Sequence, residues 1–312
     1  MSEGRFNQQA TFVQLLNAAG RMWIVDNANN AVDTTPIGLP VVDSIIGVGT
    51  GPIQFSIARD NLGKMYVTNS ASNDVTRLDI ATRLADLTIP IGAFPIGIAF
   101  DNAAHMYACN AGGNSLSRIL TATGAVDATI LLSGGPFGIA WDGAAHMYAV
   151  NQATNNVSRV LIATGAEDLV IPIGAGTGPS GIAWDGGAHM WVTNFTTGTV
   201  QRLLVATGAL DGAAIAVGVN PIGIAWDGAG HMYICDSGAA TVTRINIATA
   251  LVDGTLTTIA NPYGIGWDGH GRMYVTSVTV AEVARIIITT FALDSPITTV
   301  GGTRAVAWDG RP

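Results

Sequence analysis

The segment AWDGAAHMYAVN at residues 140–151 returns as AWDGGAHMWVTN at 183–194, AWDGAGHMYICD at 225–236 and GWDGHGRMYVTS at 266–277. A fixed period constrains architecture more than any single residue, because each unit must bury its apolar faces against copies of itself. The methionines supply the ruler: Met22, Met65, Met106, Met147, Met190, Met232 and Met273 are spaced by 43, 41, 41, 43, 42 and 41 residues. Each is followed by Tyr or Trp. Five residues before each lies Asn17, Asp60, Asp101, Asp142, Asp185, Asp227 or Asp268. Twelve residues after comes Arg77, Arg118, Arg159, Arg202, Arg244 or Arg285, with Thr34 in the first copy.

Within a unit the signals are those of strands. GIAW leads to an Asp-Gly turn, HMYAV to a polar loop, NVSRVLI to an Ala-Thr-Gly turn, and a fourth run such as EDLVIPI ends the copy. Gly takes positive φ cheaply, and Asp or Thr bonds nearby backbone donors, so both turns suit hairpins. No segment sustains a 3.6-residue period. Four short antiparallel strands in roughly 42 residues make one propeller blade. The expected fold is therefore all-β: a seven-bladed β-propeller of four-stranded antiparallel blades, spanning residues 19–312.

Closure follows from counting. There are seven Met strands but eight candidates for a first strand, because the chain ends on AVAWDGRP. An open ring would leave unpaired strand edges. The C-terminal run Ala305–Gly310 is expected to complete the first blade beside residues 21–26. FVQLLN at 12–17 is a poorer copy that competes for the same slot, and residues 1–18 form an N-terminal arm or extra strand. Phe100, Trp141, Trp184, Trp226, Trp267 and Trp308 recur at the end of the first strand and read as core.

Composition removes several classes of function. Only 12% of the 312 residues are charged, the net charge is -8, and the 14 Lys and Arg are scattered, so a nucleic-acid partner is not expected. The opening MSEGRFNQQATFVQLLNAAG lacks a basic stretch leading into an apolar one, and no window of about 18 apolar residues follows. The expectation is a soluble protein without an export signal or membrane insertion. Cys109 and Cys235 share one position in the third and sixth copies, too far apart for a disulfide, and read as buried free thiols.

MYVTNSASNDVTRLDIATR (65–83) and MWVTNFTTGTVQRLLVATGA (190–209) resemble the repeat of the YVTN group of propellers, and DGAGHMYICDSG (227–238) resembles an NHL-type repeat. Nearly the whole chain is covered. The nearest enzymes by resemblance are streptogramin lyases and lactonase-type propellers. The lyase resemblance implies a His before the inner-strand Gly and a Glu at the end of the second strand. Here the first position holds Ile96, Phe137, Ser180, Ile222 or Tyr263, and the second holds Asn69, Asn110, Asn151, Asn194, Asp236 or Ser277. The lactonase resemblance implies a metal held by Glu, Asn and Asp near the axis, yet the chain's Glu residues are Glu3, Glu167 and Glu282.

Other candidate chemistry is weighed residue by residue. His105, His146, His189 and His231 precede the Met in successive copies, but equivalent sites on adjacent blades stand on the order of 10 Å apart, too far to share a zinc ion. Arg21, Lys64 and Arg272 fill the same slot, which points to a surface role at the turn; His270 sits alone. Asp26, Asn69, Asn110, Asn151, Asn194 and Asp236, four residues after each Met, form the candidate binding ring. They either cap the following loop or, with loops 69–74 and 151–156, line a channel mouth for a sugar, cation or peptide. GVGTG (47–51) and GAGTG (174–178) open no helix, so they are not phosphate cradles, and read as two-residue insertions in the connections. The repeated Arg needs an acceptor in a neighbouring strand or blade.

The resulting expectation is a non-enzymatic propeller with no catalytic residues, no metal and no cofactor. It acts as a structural or binding subunit of a larger assembly, for example a phage virion or an extracellular surface array, with protein partners and glycan as a further candidate. The rival expectations are a lyase- or lactonase-type enzyme with displaced residues, and a soluble carbohydrate- or peptide-binding module.

Overall fold

The computed structural model describes residues 20–37, 39 and 41–310. It is a ring of seven antiparallel sheets of four strands. Blade 4 shows the unit: inner strand Pro136–Trp141, second strand His146–Asn151, third strand Asn156–Leu161 and outer strand Ala166–Pro172. The inner strands all start on the face that carries the longer loops and end on the face that carries the Asp-Gly turns. These are called the loop face and the turn face below.

Blade 1 closes the ring. Thr303–Trp308 lies beside Arg21–Asp26, with Met22 opposite Trp308 and Ile24 opposite Val306. Asp309 then does for this blade what the turn aspartates do elsewhere: its carboxylate accepts the Arg21 N–H at 3.0 Å, and its own N–H donates to the Arg21 carbonyl at 3.0 Å. The C-terminal run thus fills the contested slot. The competing stretch 12–17, and the arm assigned to residues 1–18, lie outside the described residues.

Second strands are buried on both faces because each blade is sandwiched between two others. The seven repeat methionines have no exposed surface. Tyr148, Val150, Val157 and Ile171 of blade 4 pack with Ile182, Met190, Val192 and Leu203 of blade 5 in one continuous cluster. Such inter-blade layers repeat around the ring, each buried Met contributing about 1.5–3 kcal/mol. Cys109 and Cys235 are fully buried free thiols.

At the axis the inner strands come so close that only glycine fits. A Cβ on Gly138 would sit 2.7 Å from the Ser180 carbonyl of the next blade, and one on Gly97 would sit 2.5 Å from that of Phe137. A one-residue bulge places this glycine, since Pro136 pairs with Asn151 but Ile139 pairs with Ala149.

Two blades depart from the pattern. Blade 5 has an outer strand of two residues, Ile215–Ala216, where the others have four to seven. Blade 2 has an eight-residue inner strand, Pro52–Arg59, in which Pro52 opposes Asn69 and Ile57 opposes Val67. Its bulge holds two more residues than the others. The extra length behind the first 43-residue spacing is therefore here and not in GVGTG; a Met-to-Met count cannot say where in a unit an insertion falls. GAGTG does lengthen its connection, the one leading from Pro172 to Pro179.

Candidate functional site

The six ring residues Asp26, Asn69, Asn110, Asn151, Asn194 and Asp236 close the second strands at the loop face. Their exposure is 0–1%, so the side chains point into the blades and do not line an open mouth. Asn151 donates from Nδ2 to Asn156 Oδ1 and to Ser158 Oγ, both at 2.7 Å. Asn69 does the same with Asp74 and Thr76, and Asp236 accepts from Thr241, Thr243 and the Gly218 N–H. These bonds tie the second strand to the third and to the loop arriving from the previous blade. Gly218 arches so closely over Asp236 that a Cβ there would overlap its carboxylate. Blade 1 differs: Asp33 stands where blades 2, 3, 4 and 6 have Thr76, Ser117, Ser158 and Thr243, giving a buried pair of carboxyls with Asp26. Burial, then the neighbouring Asp26 charge, pushes the Asp33 carboxyl up to about 6.

On the turn face each repeated Arg meets an aspartate of its own blade, nine residues further on. Arg159 grips Asp168 through Nε at 3.1 Å and Nη2 at 2.8 Å, and Arg118 grips Asp127 at 2.9 and 3.2 Å. The same aspartate meets the repeated histidine. His105 reaches Asp101 through Nδ1 at 3.2 Å and Asp127 through Nε2 at 3.2 Å; His189 reaches Asp185 at 3.1 Å and Asp211 at 3.2 Å. His146 and His231 repeat the arrangement. A chain of Asp, His, Asp and Arg thus laces four blades. Lys64, Arg272 and Arg21 occupy the histidine slot in the others, bonded to Asp86, Asp294 and Asp43.

An Asp–His pair is the usual start of a proton relay. Here the far nitrogen faces a second carboxylate, so each imidazole is flanked by two aspartates of its own blade and poorly placed to reach a substrate. The tyrosines beneath are also unsuited to act as bases; burial pushes Tyr107 up to about 12. Among the described residues no three His, Cys, Asp or Glu converge into a metal-sized group.

The side chains at the axis are apolar. Ile57, Ile98, Ile139, Ile224, Ile265 and Val306, one from each of six inner strands, line a cavity of ≈ 160 Å³ together with Phe55, Gly223, Gly264 and Ala305. Phe55 enters this cavity from the enlarged bulge of blade 2 with a φ of 57°, a left-handed conformation rare for a bulky side chain. The bulge brings Phe55 into the position held by Ile96, Phe137, Ser180, Ile222, Tyr263 and Arg304 in the other blades. Phe55, Phe137, Tyr263 and Arg304 are half-buried there. The Arg304 guanidinium lies over the Tyr263 ring at 5.4 Å. Burial raises the Tyr263 hydroxyl above its ordinary value, partly offset by Arg304.

At the opposite end, the aromatics expected in the core are half-buried. Trp141, Trp184 and Trp226 run ring to ring at 6.0 and 6.4 Å, Trp267 meets Trp308 at 6.3 Å, and Arg59 stacks on Trp308 at 5.8 Å. With Phe100 they form a crown on the turn face. Each of three indoles spends its N–H on a backbone carbonyl of its own turn, as Trp184 does with Gly187 at 2.9 Å. Exposure follows because the turn tips above them carry mostly Gly and Ala.

Comparison with known proteins places this geometry. The sequence profile of the virginiamycin B lyase family matches residues 44–301. Among solved structures, hydrazine synthase of Kuenenia stuttgartiensis superposes with a TM-score of 0.75 at 17% identity, covering 91% of this chain and 94% of that one. A catalytically inactive virginiamycin B lyase from Staphylococcus aureus, solved with quinupristin, gives 0.69 at 13% identity, with 90% and 89% covered. A functionally unknown protein from Desulfotomaculum acetoxidans gives 0.78 at 12% identity, with 93% and 99% covered. At these identities the likeness shows the fold. No curated protein matches the chain.

Proposed function

The chain belongs to the virginiamycin B lyase family, and from that premise we propose that it binds without turning its ligand over, as a non-enzymatic structural or binding subunit of a larger assembly. One observation carries the reading: at the slots where the lyase resemblance implies a general base, the axis presents Phe55, Ile96, Phe137, Ser180, Ile222, Tyr263 and Arg304. A lyase must remove a proton and return one near neutral pH. Isoleucine and phenylalanine do neither, and the Tyr263 hydroxyl is held above its ordinary range. The second-strand ends are the buried amides and carboxylates committed to the third strand.

The assembly half of the reading is supported by the rim. Outer strands expose Leu131 at 75%, Leu84 and Leu251 at 64%, Ile45 at 56% and Leu293 at 49%. Apolar residues exposed on the outer strands of several blades favour packing against a protein surface, of a virion or an extracellular array for instance. The half-exposed crown of indoles favours a second reading, a carbohydrate- or peptide-binding module with its platform on the turn face.

Incubation with quinupristin, followed by mass spectrometry, tests the main reading. The compound is expected back unchanged; a ring-opened product sinks it. For the rim, native mass measurement of the wild type against Leu131→Lys and Leu84→Lys is expected to show association that the lysines weaken. Identical monomers throughout would remove the assembly half.

A further inference from the structure

Charge pairing leaves two residues over. Of the twelve Lys and Arg among the described residues, ten make an ion pair with an aspartate. The two that do not are Arg59 and Arg304. Both lie on innermost strands, Arg59 at the turn-face end and Arg304 near the loop-face end. Every other described Lys and Arg has a carboxylate, so a guanidinium without one, next in sequence to residues that line a cavity, is suited to take an anion from outside.

The surroundings of Arg304 define that anion. Its plane is held by Tyr263 at 5.4 Å, which orients the guanidinium without neutralising it. The residues next to it in sequence, Ala305 and Val306, line the ≈ 160 Å³ axial cavity, together with Gly264, which follows Tyr263. Phe55 forms another wall, delivered by the enlarged bulge of blade 2 and kept at a positive φ. The isoleucines supply the remaining side-chain walls. One end of the site is cationic, and the rest combines apolar side chains with backbone polar groups.

We propose that the loop-face end of the axis binds a small organic carboxylate with an apolar body. Arg304 takes the carboxylate in a two-pronged hydrogen bond, and the body enters the cavity between Phe55 and the isoleucines. A guanidinium matches the planar geometry of a carboxylate, and partial burial strengthens the pair. A cavity of about 150 Å³ lined by aliphatic and aromatic side chains accepts a benzene-sized body. The lone cation selects a monoanion, because a phosphate dianion would bring a second charge to a site whose remaining walls cannot compensate it. This inference rests on the reading of the axis as a binding site without catalysis.

The test is calorimetric titration of the full chain with benzoate and hexanoate, with benzyl alcohol and hexanol as neutral counterparts and inorganic phosphate as the anion without a body. The acids are expected to bind at least about tenfold more tightly than their alcohols, the scale of one charge-assisted hydrogen bond. Phosphate should show no heat. Arg304→Gln should erase the preference for acids while leaving the alcohols as they were, and Arg304→Lys should keep part of it. Ile98→Phe, with its thermal transition checked, should weaken acids and alcohols alike by filling the cavity. Equal affinity for acids and alcohols, a preference that survives Arg304→Gln, phosphate binding as tight as benzoate, or no binding by any probe would each overturn the proposal. Recovered benzoate separates the two readings: conversion to a product would defeat the non-enzymatic function and leave the site standing, whereas absent binding defeats the site alone.

Discussion

Blades 1 and 4 have the same strands and the same pairing, and they solve the same two problems with different residues. In blade 4 one continuous stretch of chain supplies everything: Asn151 bonds Ser158 on the loop face, and Asp142, His146, Asp168 and Arg159 form the chain of contacts on the turn face. In blade 1 the parts come from two ends of the sequence. Asp309 replaces the turn aspartate, Arg21 the histidine and Thr34 the arginine, with Asp43 taking Arg21, the Thr34 hydroxyl and Arg83 of the next blade. The amide–hydroxyl pair becomes the two carboxyls Asp26 and Asp33. A seam can keep the geometry of a repeat while its chemistry drifts, and here the drift leaves a buried acid without a compensating cation.

The largest expected effect comes from removing residues 303–312. Blade 1 then loses its inner strand and the ring its closure. The cooperative thermal transition followed by circular dichroism should disappear, whereas trimming residues 311–312 alone should leave it intact. Next, Met147→Ala in blade 4 should cost about 2–5 kcal/mol in urea unfolding, because a side chain with no exposed surface is removed from a layer that cannot collapse. An effect near zero would mean that the inter-blade layers are loosely packed.

Acidity separates the two blades further. The Asp33 carboxyl lies at about 6 when folded against 3.8 when free. A raised acid binds more protons in the fold, so its contribution is complete below about pH 4 and is lost as pH climbs through 6. At roughly 1.4 kcal/mol per pH unit, this amounts to at most about 3 kcal/mol. Asp33→Thr, which imports the Asp–Thr pair used by blade 6, should flatten the stability profile between pH 4 and 7 and raise the melting temperature at pH 8. Ser158→Asp should create the same slope in blade 4. The opposite sign holds for Asp79, which hydrogen bonds from Lys64 and Thr82 lower to about 2; its share is present above pH 4 and fades toward pH 2. Half-exposed and screened, it is worth under about 1 kcal/mol.

The narrowest contrast between the two blades is at the turn-face bond. Arg159→Ala should cost about 1–3 kcal/mol by stripping Asp168 of its bidentate partner, and Thr34→Ala in blade 1 less, since Arg21 and Arg83 still hold Asp43. Equal losses would mean that Asp43 and Asp168 are not doing the same job.

Period, strand count and closure were readable because each depends on spacing along the chain. The partner of the repeated arginine was equally readable and was missed: an aspartate lies nine residues after Thr34 and after each of the six arginines. Two antiparallel strands around a turn bring such positions side by side. The crown of indoles was not readable, because exposure depends on what lies above a side chain, and glycine-rich turns cover little. Nor was Phe55. Two inserted residues look alike in a loop and in a bulge, and only strand pairing tells them apart. Asp33 was passed over for another reason. It breaks the pattern, and attention to a period favours what recurs over the one copy that differs.

The axial cavity is walled by the inner strands of six blades, so an occupant touches six of the seven sheets at once. Its binding energy is then shared around the ring instead of being lodged in one blade, and a ligand there acts as a clamp on the whole circle.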